Sequence, residues 1–227
     1  WAMIFGTADD TDYEDPTTHE HYPPFYKRER LLDIDQRFPL SLTQRGPPTI
    51  FGITNYILDV TIDGQTAANL FFYDTGGGSL PQQLSQNQVN WFYHSYQRHP
   101  AMAFQYYPPS ELHHSDKCIG YFGEEFKPLH NDPGIVNAMS ETSRVYLLAV
   151  GKNHGNDYCC PFTQDLQVCF ARHTGYGGYG DWERGMRVYE LTIADPSTRT
   201  MDWKSWVRLE SGKVISEVSR DSMLSTF

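Results

Sequence analysis

Residues Arg144 to Val150 (RVYLLAV) are an almost unbroken apolar run that ends abruptly in Gly151-Lys152-Asn153-His154-Gly155-Asn156-Asp157. A short apolar run bounded by turn residues predicts a buried strand. Such a strand delivers a polar loop to its own end, where the core fixes the loop's position. The loop sets a lysine, Lys152, two residues before a histidine, His154, at the end of that strand.

The elements around this strand restrict the fold further. Ile53 to Val60 and Asn69 to Tyr73 read as strands, with the turn signal Asp63-Gly64 between them. Asp74-Thr75-Gly76-Gly77-Gly78 ends the second of these in a flexible loop. Ser85 to Gln97 predicts a helix. Ser85 and Gln88 have capping-box spacing, and Val89, Phe92, Tyr93 and Tyr96 fall on one apolar face. Pro100 stops that helix, and Ala101 to Gln105 reads as a buried strand broken by Pro108-Pro109. Gly134 to Thr142 reads as a short helix. Beyond Val150, strands are expected over Leu166 to Ala171, Arg187 to Ile193, Ser205 to Leu209 and Lys213 to Glu217. This order, strand pair, helix, strand, helix, strand and then mostly strands, is a layered α/β (α+β) pattern with a β-rich end. No repeat or linker divides residues 1–227, which are expected to form one domain.

With 227 residues the chain suffices for one sizeable core or for part of a larger domain. Aromatics make up 15% of the residues, and 18 Gly and 14 Pro argue for a loop-rich α/β or β-rich chain against a helical bundle. A net charge of −10 and scattered Lys and Arg argue against a nucleic-acid partner. The Lys27-Arg28-Glu29-Arg30 cluster reads as a solvated surface turn. No apolar run approaches the roughly 20 residues of a transmembrane helix, and no signal peptide is visible. Trp1-Ala2-Met3-Ile4-Phe5 reads as a buried strand entered without an initiator Met, which implies sequence upstream of Trp1. Four cysteines (Cys118, Cys159, Cys160, Cys169) are too few for a disulfide scaffold and are expected to be buried structural thiols. Cys159-Cys160 is not a zinc pair, because neighbouring side chains on an extended segment point to opposite faces.

Several blocks taken together resemble the calcineurin-like metallophosphoesterases, most closely their purple-acid-phosphatase-like branch in plants and fungi. They are WAMIFGTADD (Trp1 to Asp10), where the family has a strand into GNHDD, and NLFFYDTGGGS (Asn69 to Ser79). The helix QNQVNWF (Gln86 to Phe92) and AMAF (Ala101 to Phe104) follow. The most specific are VGKNHGNDYCC (Val150 to Cys160) and RHTGYGGYGDWERG (Arg172 to Gly185). The resemblance spans nearly the whole chain. It implies a four-layer αββα sandwich holding two metals between strand-end loops. It also implies that about half of the ligands, the Asp-x-His and Gly-Asp motifs, lie upstream of Trp1, so that the chain is the C-terminal part of the domain.

The resemblance assigns the remaining ligands one by one. Where GNHD supplies an Asn ligand and a proton-donating His, this chain has Thr7 and Ala8, followed by Asp9. The His expected after the helix and strand is Tyr106. The closing GHxH should give one His to each metal, and here Lys152 replaces the first while His154 keeps the second. Three second-metal ligands are thus exchanged together. His154 and Asp9 stay as vestigial metal candidates, and Arg172 and His173 are the candidate anion contacts.

Two function classes follow from this reading. One is a catalytically inactive metallophosphoesterase-like protein, without a cofactor, acting as a structural or accessory subunit among protein partners in a larger assembly. Its long aromatic and Pro-rich loops of residues 11 to 48 suit such contacts. The other is an active phosphomonoesterase using a divalent or di-iron, zinc or manganese centre completed by upstream ligands. Lys152 either fills the cation site, pairing with a carboxylate such as Asp9, or faces solvent. His154 is either a relic ligand or a packing residue. His113-His114 with Asp116 is a weak replacement site, and Asp74 to Ser79 is either a phosphate cradle or a structural turn.

Overall fold

Asp63 and Gly64 both adopt left-handed backbone, φ 51° and 77°, the conformation that two-residue hairpin turns demand. They join strands β3 (Tyr56–Ile62) and β4 (Gln65–Tyr73) into an antiparallel pair. This is seen in a computed structural model that describes residues 1–15 and 17–226. Ahead of the pair come a small hairpin, β1 (Tyr13–Glu14) and β2 (His21–Tyr22), and helix α1 (Arg28–Asp35).

After β4 the chain alternates. Helix α2 (Gln86–Ser95) leads to β5 (Ala101–Gln105), and helix α3 (Ile135–Ser140) leads to β6 (Val145–Val150). Next come β7 (Cys159–Pro161) and β8 (Gln167–Phe170). The chain then forms β9 (Gly185–Thr192), β10 (Asp202–Leu209) and β11 (Val214–Ser219), closing with helix α4 (Arg220–Leu224). Among the described residues the main sheet has six strands in the order β3-β4-β5-β6-β8-β7, and a second has three in the order β11-β10-β9. The inner strands β4, β5, β6 and β8 run parallel, with antiparallel strands at both edges. All six residues of β6 are buried, as expected for a parallel strand covered on both faces.

The core explains that burial. On one face Phe71, Leu148 and Val168 pack with Val89 and Phe92 of α2 and Ile135 and Met139 of α3. On the other, Met102, Tyr146 and Leu147 pack with Trp203 and Val218 of the second sheet. The molecule is therefore mixed α/β, mostly sheet with few helices. No helix among the described residues is long and apolar enough to cross a membrane.

Helix α2 carries the expected capping box between Ser85 and Gln88. Its apolar face differs at one place. Tyr93 is 48% exposed and donates to Glu141 (2.7 Å), while Trp91 packs against Phe71 and Tyr73 instead. The four-residue spacing put Tyr93 beside Val89, but a tyrosine at the rim of the stripe satisfies its hydroxyl outside.

Three further expectations are overturned. Trp1 to Phe5 is not a strand: Trp1 is 54% exposed and only Phe5 is buried. The segment's hydrogen bonds go to the loop at Leu42 and Thr43 and to the Tyr56 hydroxyl, so no ladder forms. The cysteines are not free thiols, since Cys118 bonds to Cys160 and Cys159 to Cys169. The opposite-face argument explains the pairing. Cys160 points to the helix side of β7, where Cys118 lies, and Cys159 points to the second-sheet side against its cross-strand neighbour Cys169.

The third concerns the basic cluster. Lys27, Glu29 and Arg30 are exposed, but Arg28 is fully buried. Its guanidinium donates to Asp10 (3.0 Å), to Asp74 (2.6 Å) and to the carbonyls of Gly6, Gly76 and Gly77. A buried cation persists only when it is fully paired in this way.

Candidate functional site

The register of the parallel strands builds the site. Tyr73, Gln105, Val150 and Phe170 lie in one row across β4, β5, β6 and β8. The next residues, Asp74, Tyr106, Gly151 and Ala171, therefore leave the sheet along one edge, the carboxyl edge where α/β sheets commonly bind ligands. Gly151 N donates to Tyr106 O (3.0 Å), which ties the two loops together.

Two glycines let Tyr106 fill this edge. A Cβ on Gly6 would fall 2.9 Å from the Tyr106 ring, and one on Gly151 3.2 Å from it. The Gly6-Thr7 loop, the Tyr106-Tyr107 loop and the Gly151-Lys152 loop thus converge. Thr7 Oγ1 and Tyr107 Oη are 2.8 Å apart. Lys152 is held in left-handed backbone (φ 65°), a conformation costing a non-glycine residue about 1–3 kcal/mol. Its ammonium lies 5.4 Å from the ring centroid of Tyr107 and 6.0 Å from that of Tyr106. Lys152 is half-buried. Burial first, and then Lys127 nearby, hold its pKa below the ordinary lysine value, against the opposing charge of Glu124.

The expected pairing of Lys152 with Asp9 is not found. Lys152 has no ion pair among the described residues, and the Asp9 carboxylate accepts from Gly6 N (2.6 Å) in its own turn. Ala8 is exposed and brings no polar side chain to the site.

His154 sits beside this group in a stack of three rings. His173 lies 4.2 Å away on one side and Tyr179 4.4 Å away on the other. Burial, and next the His173 imidazole, keep the His154 pKa below the usual histidine value. His173 is buried, and its Nε2 pairs with Gly177 O (2.8 Å). Glu124 braces the stack by accepting from Gly155 N (2.8 Å) and from the Tyr179 hydroxyl. Sequence reasoning missed Glu124, Lys127 and Tyr107. Nothing in the pattern marks Glu124, because its loop reaches the site only through the fold. Tyr107 was next to a named residue and was signalled by adjacency alone.

Arg172, the candidate anion contact, is directed elsewhere. Its guanidinium pairs with the buried Asp157 carboxylate (2.8 Å) and donates to Glu183 O. Asp157 also accepts from Tyr121 N, and its backbone carbonyl accepts from Arg187. This is a bracing network for the loop after β6.

The loop after β4 is a turn around a cation. Gly76, Gly77 and Gly78 all have positive φ, and a Cβ on Gly76 would fall 1.8 Å from Pro81 O. Its carbonyls face the Arg28 guanidinium, whereas a phosphate cradle would present N–H groups. His114 packs on Phe122 and Tyr158. Among the described residues no group of three His, Cys, Asp or Glu side chains is placed to hold a metal ion. An open, mostly apolar cavity of about 370 Å³ adjoins the site, with Tyr106 and Gly151 in its wall beside Phe72, Phe104 and Ala149.

No protein-family model matches the chain, and no curated protein matches it.

Proposed function

We propose that this chain carries a metallophosphoesterase-like domain of the four-layer αββα type that has lost hydrolysis and serves as a non-catalytic accessory or binding subunit among protein partners. The observation that carries the reading is the company of Lys152. Its ammonium lies over two tyrosine rings, with Thr7 close by and no carboxylate partner among the described residues.

Two-metal hydrolysis needs a metal-held hydroxide and a clamp on both reacting oxygens. The donors this chain brings to the Lys152 corner are a threonine and two tyrosines, all neutral, beside an ammonium. They do not fit a divalent ion: charges of +1 and +2 at 4 Å repel by about 2 kcal/mol even in bulk water. Ala8 offers no proton to a leaving group. What the loop edge can do is bind and orient a ligand through one cation, several hydroxyls and aromatic faces.

The accessory role is supported by exposed apolar side chains. Phe25 is 89% exposed, and Trp1, Phe38, Leu40 and Leu42 are exposed on one neighbouring stretch. Groups of large exposed side chains of this kind mark contact surfaces.

A second reading keeps phosphomonoester hydrolysis with an iron, zinc or manganese centre completed by upstream ligands. One observation favours it: the buried Nδ1 of His154 has no hydrogen-bond partner among the described residues, and a free imidazole nitrogen is what a metal ligand offers. Nitrophenyl phosphate turnover by the purified protein with added manganese, iron or zinc separates the two. The proposal expects no turnover above the metal-only control. Turnover that His154→Ala abolishes would overturn it in favour of the second reading.

A further inference from the structure

We propose that Lys152, with the hydroxyls of Thr7, Tyr106 and Tyr107, forms a binding site for an oxyanion, a phosphate- or carboxylate-bearing group, held directly on the ammonium. The inference rests on the non-hydrolytic reading above and names the ligand class of that same edge.

Four observations carry it. The first is position: Tyr106, Tyr107 and Lys152 stand on loops that leave the carboxyl edge of the parallel strands, and Thr7 meets them there through its contact with the Tyr107 hydroxyl. The second is charge. Lys152 is a half-buried cation without an ion pair among the described residues, in a chain of net charge −10. Lysine is rarely removed from water unless paired, so an anion is the missing counterpart. The third is donor capacity. An ammonium has three donors and no acceptor; it lies 5.4 Å from the Tyr107 ring and 6.0 Å from the Tyr106 ring, and the Tyr107 hydroxyl meets Thr7 Oγ1 at 2.8 Å. The fourth is the backbone. Lys152 is kept at φ 65°, and strained residues of this kind concentrate at ligand sites.

The neighbouring carboxylates leave the ammonium available. Glu124 is engaged by Tyr179 and Gly155, and Asp9 by Gly6. In the bonded pair Thr7 Oγ1 and Tyr107 Oη one hydroxyl donates to the other, which leaves one proton of the pair for an oxyanion.

The test is titration of inorganic phosphate, and of acetate in parallel, into the purified protein after dialysis against a chelator. Binding is followed by calorimetry and by the NMR signal of the Lys152 side chain. Saturable one-to-one binding of either anion is expected, weakening with added salt. Tighter phosphate points to a phosphoryl ligand, and tighter acetate to a carboxylate. Lys152→Gln should weaken binding at least about tenfold, the scale of one charge-assisted contact. Lys152→Arg should stay within about threefold, since it keeps the charge, and so should Lys204→Gln on the second sheet. Circular dichroism of each variant confirms folding. No saturable binding, binding unchanged in Lys152→Gln, or binding that appears only after metal is restored would overturn the inference. Turnover of nitrophenyl phosphate by the same preparation would instead overturn the non-hydrolytic reading on which it rests.

Discussion

Replacing Arg28 by methionine should cost about 4 kcal/mol of stability, within the about 3–5 kcal/mol seen when one partner of a buried ion pair is removed. The guanidinium joins three segments: the Gly6 turn with Asp10, the Asp74 strand end, and the Gly76-Gly77 loop. Without it two buried carboxylates lose their counterion. Asp74 keeps the amides of Ile53 and Gly76, and Asp10 keeps Ser79, so neither is wholly orphaned. Three carbonyls lose a donor as well. Arg28→Lys keeps the charge but not the planar fork, and should lose about 1.5–3 kcal/mol, the worth of one hydrogen bond to a charged group. Against a total of about 5–15 kcal/mol for a typical domain, the methionine variant sits near the edge of folding. The assay is urea denaturation with disulfides intact, comparing midpoints at constant m. A second variant sharpens it. Asp74→Asn should destabilise the wild type yet stabilise Arg28→Met, because it then removes an uncompensated charge. A loss below about 1 kcal/mol in Arg28→Met, or the same sign for Asp74→Asn in both backgrounds, would show that Arg28 is not the counterion of these carboxylates.

Two further predictions concern the disulfides and a buried carboxylate. Denatured, unreduced protein should show no reactive thiol, whereas four would contradict the bridges among Cys118, Cys159, Cys160 and Cys169. Opening Cys118–Cys160, with a separation of 42, should cost about 4 kcal/mol, and opening Cys159–Cys169, with a separation of 10, about 3 kcal/mol. A reversed order in thermal unfolding would count against the loop-closure account. Asp132 has a pKa raised above 3.8 by burial, against the amides of Gly134 and Ile135, and its Oδ2 has no partner among the described residues. Its stabilising contribution is complete below 3.8 and is lost as pH rises through the folded value. Asp132→Asn keeps an acceptor for both amides, so its advantage over wild type should grow as pH rises from 3.8. A flat difference between pH 3 and 7 would refute this.

The parts of the fold legible in the sequence were those governed by local chemistry. Asp63-Gly64, the Ser85–Gln88 capping box and the strand at Ala101–Gln105 sit where short-range rules place them. Arg28 was not legible, because its burial depends on Asp10, Asp74 and three carbonyls that only the fold brings together. The bridges failed for a different reason. The opposite-face rule that excludes a zinc pair at Cys159-Cys160 also sends each thiol to its own partner, but those partners, Cys118 and Cys169, are fixed only by the fold. At the site, Thr7, Tyr106, Lys152 and His154 were named from sequence and lie on neighbouring loops. Glu124 arrived from a loop without a pattern, and Arg172 turned inward to Asp157.

The proposal that Lys152 takes the place of a metal ion is tested by the metal content of the purified protein, measured by elemental analysis after exhaustive dialysis. Iron, zinc and manganese are expected far below one equivalent per chain, and unchanged in Lys152→His. Two equivalents in the wild type would contradict it.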